Sequence, residues 1–207
     1  MYSVGAEAIG PRRIERMSST HSPYLPIETE RLVLRAFTDG DLDALFALHS
    51  DPDLVRWIPW GPRSLEEVRE VLGRKCGCTT FEREGDGLGF AVCLRDTGEL
   101  IGDFTLQYDN EPERTAEIGF MLLAAQQGRG YATEGALAIL GLAFEILGMH
   151  RVIARLEARN DASAVACERL GMRREAHHVE NEWIKGEWQS ELIYALLERE
   201  WRGSRRN

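Results

Sequence analysis

The stretch Gln127-Gly128-Arg129-Gly130-Tyr131-Ala132 has the residue types to hold an anion with its backbone alone. It stands between an apolar run at 116–123 and a helical pattern that begins near Tyr131. A strand that passes through a glycine loop into a helix leaves several backbone N–H groups free, and the helix dipole adds partial positive charge at its start. Such a loop is a cradle for phosphate or pyrophosphate. Gly128 and Gly130 carry no Cβ where a ligand must come close to the backbone. An ordinary strand-to-helix turn also uses glycine, so the loop alone leaves a plain turn and an anion site both open. Two well-known phosphate loops are excluded. No G-x-x-x-x-G-K-[ST] occurs, and Thr133 stands where G-x-G-x-x-G needs its third glycine.

Other reactive side chains give weaker signals. Cys76-x-Cys78 has no second pair and no nearby histidine in sequence, so the two read as ordinary thiols and no metal is expected. His177-His178 reads as surface or sheet edge rather than a ligand pair. Val55-Arg56-Trp57-Ile58-Pro59-Trp60-Gly61-Pro62 is a stiff aromatic loop. It reads either as a hydrophobic plug over the core or as a wall of a substrate pocket.

The chain has 207 residues, 43% hydrophobic and 29% charged, which fits one globular domain with a substantial core. A net charge of −9 argues against a nucleic-acid binder that neutralises phosphates and slightly favours a cationic substrate. No secretory signal opens the chain, and the longest apolar stretch, 136–149, contains Glu145 and is too short to span a bilayer. A cytoplasmic protein with no membrane partner is expected.

Several elements must position the loop. Residues 1–26 lack any sustained period and read as a flexible leader, with Met17 as an alternative start; residues 27–201 form the domain and 202–207 a loose basic tail. A first strand at 30–37 precedes a helix capped by Asp39 or Asp41. Ser64 opens a second helix with a capping box. Strands at 89–95, 99–108 and 115–122 make an antiparallel meander, with Asp96-Thr97-Gly98 as the first turn. The helix at 131–147 is apolar nearly all round, and its Gly135 and Gly141 predict close packing against a sheet. A strand at 150–158, a short helix ending at Gly171, a turn at Lys185-Gly186 and a strand at 189–197 follow.

With this order in place, the chain resembles the GNAT superfamily of acyl-CoA-dependent N-acetyltransferases. It is most similar to the branch that includes the ribosomal-protein N-terminal alanine acetyltransferases. The loop fits the family's [QR]-x-x-G-x-[GA], followed by Thr133-Glu134, and Glu117-Ile118-Gly119-Phe120 fits the strand before it. Asn160-x-x-Ser163 with Leu170-Gly171-Met172 fits a third segment. Glu28-Thr29-Glu30-Arg31-Leu32-Val33-Leu34-Arg35 and Glu198-Arg199-Glu200-Trp201 suit the branch. The resemblance covers residues 27–201.

The resemblance implies a mixed α/β (α+β) fold of about seven strands and about four helices, with a mostly antiparallel sheet splayed between its fourth and fifth strands. It implies acetyl-CoA as cosubstrate and a primary amine as acceptor. Gln127, Gly128, Arg129, Gly130, Tyr131, Ala132 and Thr133 would receive the pyrophosphate. The edge of Phe120, Met121 and Leu122 would pair with the pantetheine arm, and Asn160 would bond to the cofactor. An amine acceptor must lose a proton before it attacks, and a carboxylate can take it. Glu117 on the strand beside the slot is the first choice, since similar enzymes use a glutamate there, and Glu182 is the alternative. A solvated strand carboxylate is the plain reading of Glu117. Many relatives place a Tyr seven residues after the Asn as acid for the leaving thiolate, and Cys167 stands there instead. Ser163 is then the best remaining donor, although a Ser at that helix position can simply satisfy backbone groups. Trp57, Trp60 and Trp183 are the candidate acceptor-pocket residues. A monomer or homodimer is expected. A GNAT-fold module that binds acyl-CoA without catalysis is the rival reading.

Overall fold

A computed structural model describes residues 22–204 of the chain. Its strands are β1 (Ile27–Glu28), β2 (Leu32–Arg35), β3 (Thr79–Thr80), β4 (Gly87–Leu94), β5 (Leu100–Asn110), β6 (Thr115–Leu122), β7 (Arg151–Glu157), β8 (Arg173–Ile184) and β9 (Glu187–Leu197). Its helices are α1 (Leu42–Ser50), α2 (Leu65–Gly77), α3 (Tyr131–Gly141), α4 (Asp161–Arg169) and α5 (Glu198–Ser204). The strands form one sheet in the order β1-β2-β4-β5-β6-β7-β9-β8, with β3 paired to β4 off this path.

Every pairing is antiparallel except β6 with β7, which is parallel and short. It consists of Thr115↔Arg151, Ala116↔Val152 and Glu117↔Ile153. Beyond Glu117, β6 pairs only with β5, through Phe104↔Phe120, Asp103↔Met121 and Gly102↔Leu122. Beyond Ile153, β7 pairs only with β9. The two strands therefore part into a slot, between the fourth and fifth of the long strands as expected.

The sheet separates two cores. β4 shows why: Leu88, Phe90 and Val92 join one core, while Ala91 and Cys93 join the other. Alternate residues of a strand face opposite ways, so a continuous apolar run marks a strand buried on both sides. The larger core packs Phe104 and Ile118 against Ile139, Leu140 and Phe144. The smaller packs Leu45 and Leu48 of α1 against Val68, Val71 and Leu72 of α2. α2 opens with the expected capping box, in which Ser64 N donates to Glu67 Oε2 at 2.7 Å and Glu67 N to Ser64 Oγ at 3.3 Å.

A Cβ on Gly135 would fall 2.8 Å from the Phe104 ring, so this glycine does bring α3 close to the sheet. Gly135→Ala is expected to destabilise the fold by about 1–3 kcal/mol through overpacking, read as a lower denaturation midpoint at unchanged slope. Gly141 differs from expectation. The nearest atom to its Cβ position is Trp201 Cζ2 of α5 at 3.7 Å, an ordinary contact, so it does not pack on the sheet.

Other expectations are corrected. The helix expected at 131–147 is α-helical only to Gly141 and continues as a π-helical stretch, Leu142–Ile146. Residues 198–204 form α5, whose Trp201 is buried with its ring 5.8 Å from that of Phe144, so helix replaces the first part of the expected tail. Tyr24 and Leu25 pack on the larger core, ahead of the expected boundary at 27. The two-residue strands β1 and β3 were not foreseen. The rest of the expected leader, residues 1–21, and the end of the tail, residues 205–207, lie outside the described residues.

Candidate active site

The glycine loop sits at the open end of the slot. After Leu122 a 3-10 turn, Ala124–Gln126, reverses the chain, and Gln127 Nε2 donates to Leu122 O at 3.1 Å. Gly128 and Gly130 have φ of +73° and +83°, the left-handed region that side chains disfavour. Gly130 is the N-cap of α3, and the first backbone bond of that helix runs from Glu134 N to Gly130 O at 3.0 Å. The amides of Tyr131, Ala132 and Thr133 in the first turn of α3 thus reach no helical acceptor and can face an anion.

A staple that sequence reasoning missed holds this loop. Glu134 Oε1 accepts from Thr29 Oγ1 at 2.6 Å and from Arg31 N at 2.8 Å, and Oε2 accepts from Arg31 Nε at 2.6 Å. Arg31 Nη1 donates to Arg129 O at 3.0 Å, and the guanidinium lies 4.6 Å from the centre of the Tyr131 ring. Burial pushes the Glu134 carboxyl up, but bonds from Thr29 and Arg31 outweigh it and hold the group below its ordinary value. Both halves of the staple lie in the quoted motifs. Their contact spans 103 positions, which no local pattern reveals.

Asn160 caps α4 across the slot, with Oδ1 accepting from Ser163 N at 3.2 Å. The Ser163 backbone N–H is thus satisfied by the Asn160 side chain. No hydrogen bond of the Ser163 hydroxyl occurs among the described residues, and the residue is half-buried. Cys167 is fully buried, and burial pushes its thiol up to about 12. A thiol held there is not a nucleophile at neutral pH.

Glu117 is half-buried at the closed end of the slot, the last β6 residue to pair with β7. Arg155 Nε lies 3.5 Å from Glu117 Oε2, and Arg155 Nη2 lies 3.6 Å from Asp109 Oδ2. Burial pushes the Glu117 carboxyl above the usual range, Arg155 pulls it back, and Asp109 and Glu191 push it up further. Glu182 is exposed, opposite Gln189 on β9. It lies close enough to Glu191 to help raise that carboxyl, after burial.

The tryptophan loop meets this side of the sheet through Arg159, which follows β7, and through the β8–β9 turn. Leu54 and Val55 do the plugging: Leu54 packs on the smaller core and Val55 is buried. Trp57 and Trp60 are only half-buried and lie among cations. Arg56 and Arg159 sit 4.5 Å and 5.2 Å from the Trp57 ring centre, and Arg63 sits 3.7 Å from that of Trp60. The β8–β9 turn clamps the loop, since Lys185 Nζ donates to Val55 O at 2.7 Å and Arg56 O at 3.2 Å. Trp183 does not join Trp57 and Trp60. It is 62% exposed, meets Trp188 edge-on at 5.3 Å, and projects from the opposite face to its neighbour Glu182.

Residues 31–173 match the family model described as an acetyltransferase (GNAT) domain. YnaD of Bacillus subtilis, named an uncharacterized N-acetyltransferase, is 34% identical over 175 residues, covering 84% of this chain and 98% of its own. YdaF of the same organism, provisionally named a ribosomal N-acetyltransferase, is 26% identical over 181 residues, covering 85% and 96%. The crystal structure of a GNAT-family acetyltransferase from Bacillus anthracis superposes with a TM-score of 0.77 at 31% identity, over 84% of this chain and 99% of that one.

Proposed function

The chain belongs to the GNAT family of N-acetyltransferases, and from that premise we propose that it transfers acetyl from acetyl-CoA to a primary amine by direct attack in a ternary complex. The observation that carries this reading is the divergence of β6 from β7 directly after Glu117, with free amides at the far end of the same strand. From Glu117 to Leu122 the slot runs for roughly 16 Å at ~3.3 Å per residue, room for an extended pantetheine arm. The left-handed glycine loop fits a pyrophosphate, because a Cβ at either glycine would be strained and side chains are absent where the anion must approach.

Acetyl-CoA supplies a thioester carbonyl for the amine to attack. The amides at 128–133 hold the pyrophosphate, and the backbone edge of Phe120, Met121 and Leu122 aligns the arm. The Asn160 side-chain nitrogen donates to it. Glu117 takes the proton that an ammonium must lose, directly or through a water, and Glu182 is the alternative base. Ser163 donates to the departing thiolate. Trp57 and Trp60 wall the acceptor region.

The acceptor is a protein N-terminus or a small-molecule amine. The carboxylates of Asp109, Glu117, Glu182 and Glu191 near one face of the sheet favour a cationic amine. A monomer or homodimer acting in the cytoplasm, without nucleic acid or metal, fits this chemistry. No helix among the described residues is long and apolar enough to cross a membrane.

The test is a panel of amines and N-terminal peptides incubated with acetyl-CoA and read by mass spectrometry. Acetylation on nitrogen of at least one class is expected. Acetyl-CoA binding with no acetylated amine would favour the non-catalytic module instead. Ser163→Ala is expected to lower kcat with acetyl-CoA affinity nearly intact, by about tenfold or more if it acts as the general acid. Full activity in that variant means the thiolate leaves without a protein acid.

A further inference from the structure

A buried polar relay lies behind the tryptophan loop and takes no part in the transfer described above. His49, in the last turn of α1, is 1% exposed, and Asp103 on β5 is buried beside it. His49 Nε2 lies 2.9 Å from Asp103 Oδ2, and Nδ1 lies 2.9 Å from Arg63 Nη1. Lys75 Nζ of α2 donates to Asp103 Oδ1 at 2.6 Å. A guanidinium only donates, so Nδ1 must accept and Nε2–H must donate to Asp103. The ring is therefore held as one neutral tautomer, with Lys75 countering the carboxylate. Each ring nitrogen has its own task.

The Arg63 side of the relay reaches the acceptor region. Arg63 N donates to His49 O at 3.0 Å, so backbone and side chain both tie Arg63 to the same histidine. The Arg63 guanidinium covers the Trp60 ring at 3.7 Å, and the His49 ring meets Trp60 at 4.7 Å between centroids. The Asp103 side ends on the strand whose backbone faces Met121 of β6. Beside the relay the smaller core is apolar, with Leu45, Leu48 and Val68. An apolar residue at 49 would leave Asp103 Oδ2 and Arg63 Nη1 without this partner, and a buried polar network is favourable only when fully satisfied.

We propose that His49 is a positioning residue for the acceptor site: its Nδ1 fixes Arg63, and Arg63 fixes the Trp60 ring. Asp103 selects the tautomer that leaves Nδ1 able to accept. This inference rests on the reading of the tryptophan loop as the acceptor wall.

Two substitutions separate the two nitrogens. His49→Asn keeps a polar atom near the Nδ1 position, towards Arg63, and loses the bond to Asp103. His49→Gln reaches the Nε2 position, towards Asp103, and loses the bond to Arg63. His49→Asn loses the more buried bond, so a purely structural role predicts the larger effect there, the reverse of the proposal. The proposal expects His49→Gln to raise the KM of a peptide acceptor with a free N-terminal alanine by about tenfold, with kcat and the acetyl-CoA KM little changed. His49→Asn should stay near wild type in acceptor KM. Hydrogen exchange across residues 55–64 reads the same pair without an acceptor, and should quicken in His49→Gln alone. Equal exchange of that loop in the two variants, or acceptor KM rising in step with lost stability, overturns the proposal. Trp60→Ala separates the premise from the inference. If it leaves acceptor KM unchanged, the acceptor-wall reading fails and takes the inference with it. If it raises acceptor KM while His49→Gln does not, the inference alone fails.

Discussion

Glu117→Gln is expected to lower kcat by ~10²–10⁴-fold while leaving acetyl-CoA affinity close to wild type, the range for loss of a general base. Glutamine matches the shape of the carboxylate but cannot take a proton from an ammonium. Binding should survive because the proposed cofactor contacts lie elsewhere, on the β6 edge and the glycine loop. The pH dependence has a definite sign. Burial raises the Glu117 carboxyl above the usual carboxylate range, and Arg155 draws it partway back. Below that raised value the group is protonated and cannot act as base, so wild-type kcat/KM should fall as pH drops through it. Glu117→Gln should lose this acidic limb along with its rate. Full activity in Glu117→Gln, with the loss appearing in Glu182→Gln, would move the base to β8.

Gly130→Asp is expected to weaken acetyl-CoA binding by about 10²-fold or more, measured by calorimetric titration. Two effects act together. The backbone at 130 has φ +83°, where a side chain is strained, and a Cβ there would stand 3.4 Å from Arg31 Nη2. A carboxylate at the helix N-terminus would also oppose the pyrophosphate. Arg129→Glu places the same charge at a neighbouring position without the glycine strain, and should weaken binding in the same direction by a smaller factor. A thermal midpoint close to wild type for Arg129→Glu separates this electrostatic effect from misfolding. Unchanged affinity in both folded variants would remove the loop from the cofactor site.

Much of the site was legible because its signals are local. A glycine pair between an apolar strand and an apolar helix announces a free helix N-terminus, and the left-handed φ values at Gly128 and Gly130 agree with it. The resemblance, not the strand pattern, put Glu117 beside a slot, and it proves to be the last residue paired before the strands part. The parts that were not legible depend on distant contacts. Arg31 meets Glu134, and His49 meets Asp103 across 54 positions, because the fold brings distant segments together. Trp183 was expected with Trp57 and Trp60 in the acceptor pocket. Its neighbour Glu182 faces Gln189, so strand alternation turns Trp183 to the other side. Gly135 and Gly141 looked alike within one helix, yet only Gly135 meets the sheet, because Gly141 faces a terminal helix that the residues after 197 were not expected to form.

Direct acetyl transfer within a ternary complex is tested by a matched count of products. Wild-type protein is mixed with acetyl-CoA and the best amine from the panel, and released CoA thiol, acetylated amine and intact protein mass are followed together. One thiol is expected for each amine acetylated, with the protein itself unmodified, including at Cys167. Acetyl-CoA that binds tightly while no amine releases thiol, or an acetylated protein that forms before the amine is added and then passes its acetyl on, would contradict it.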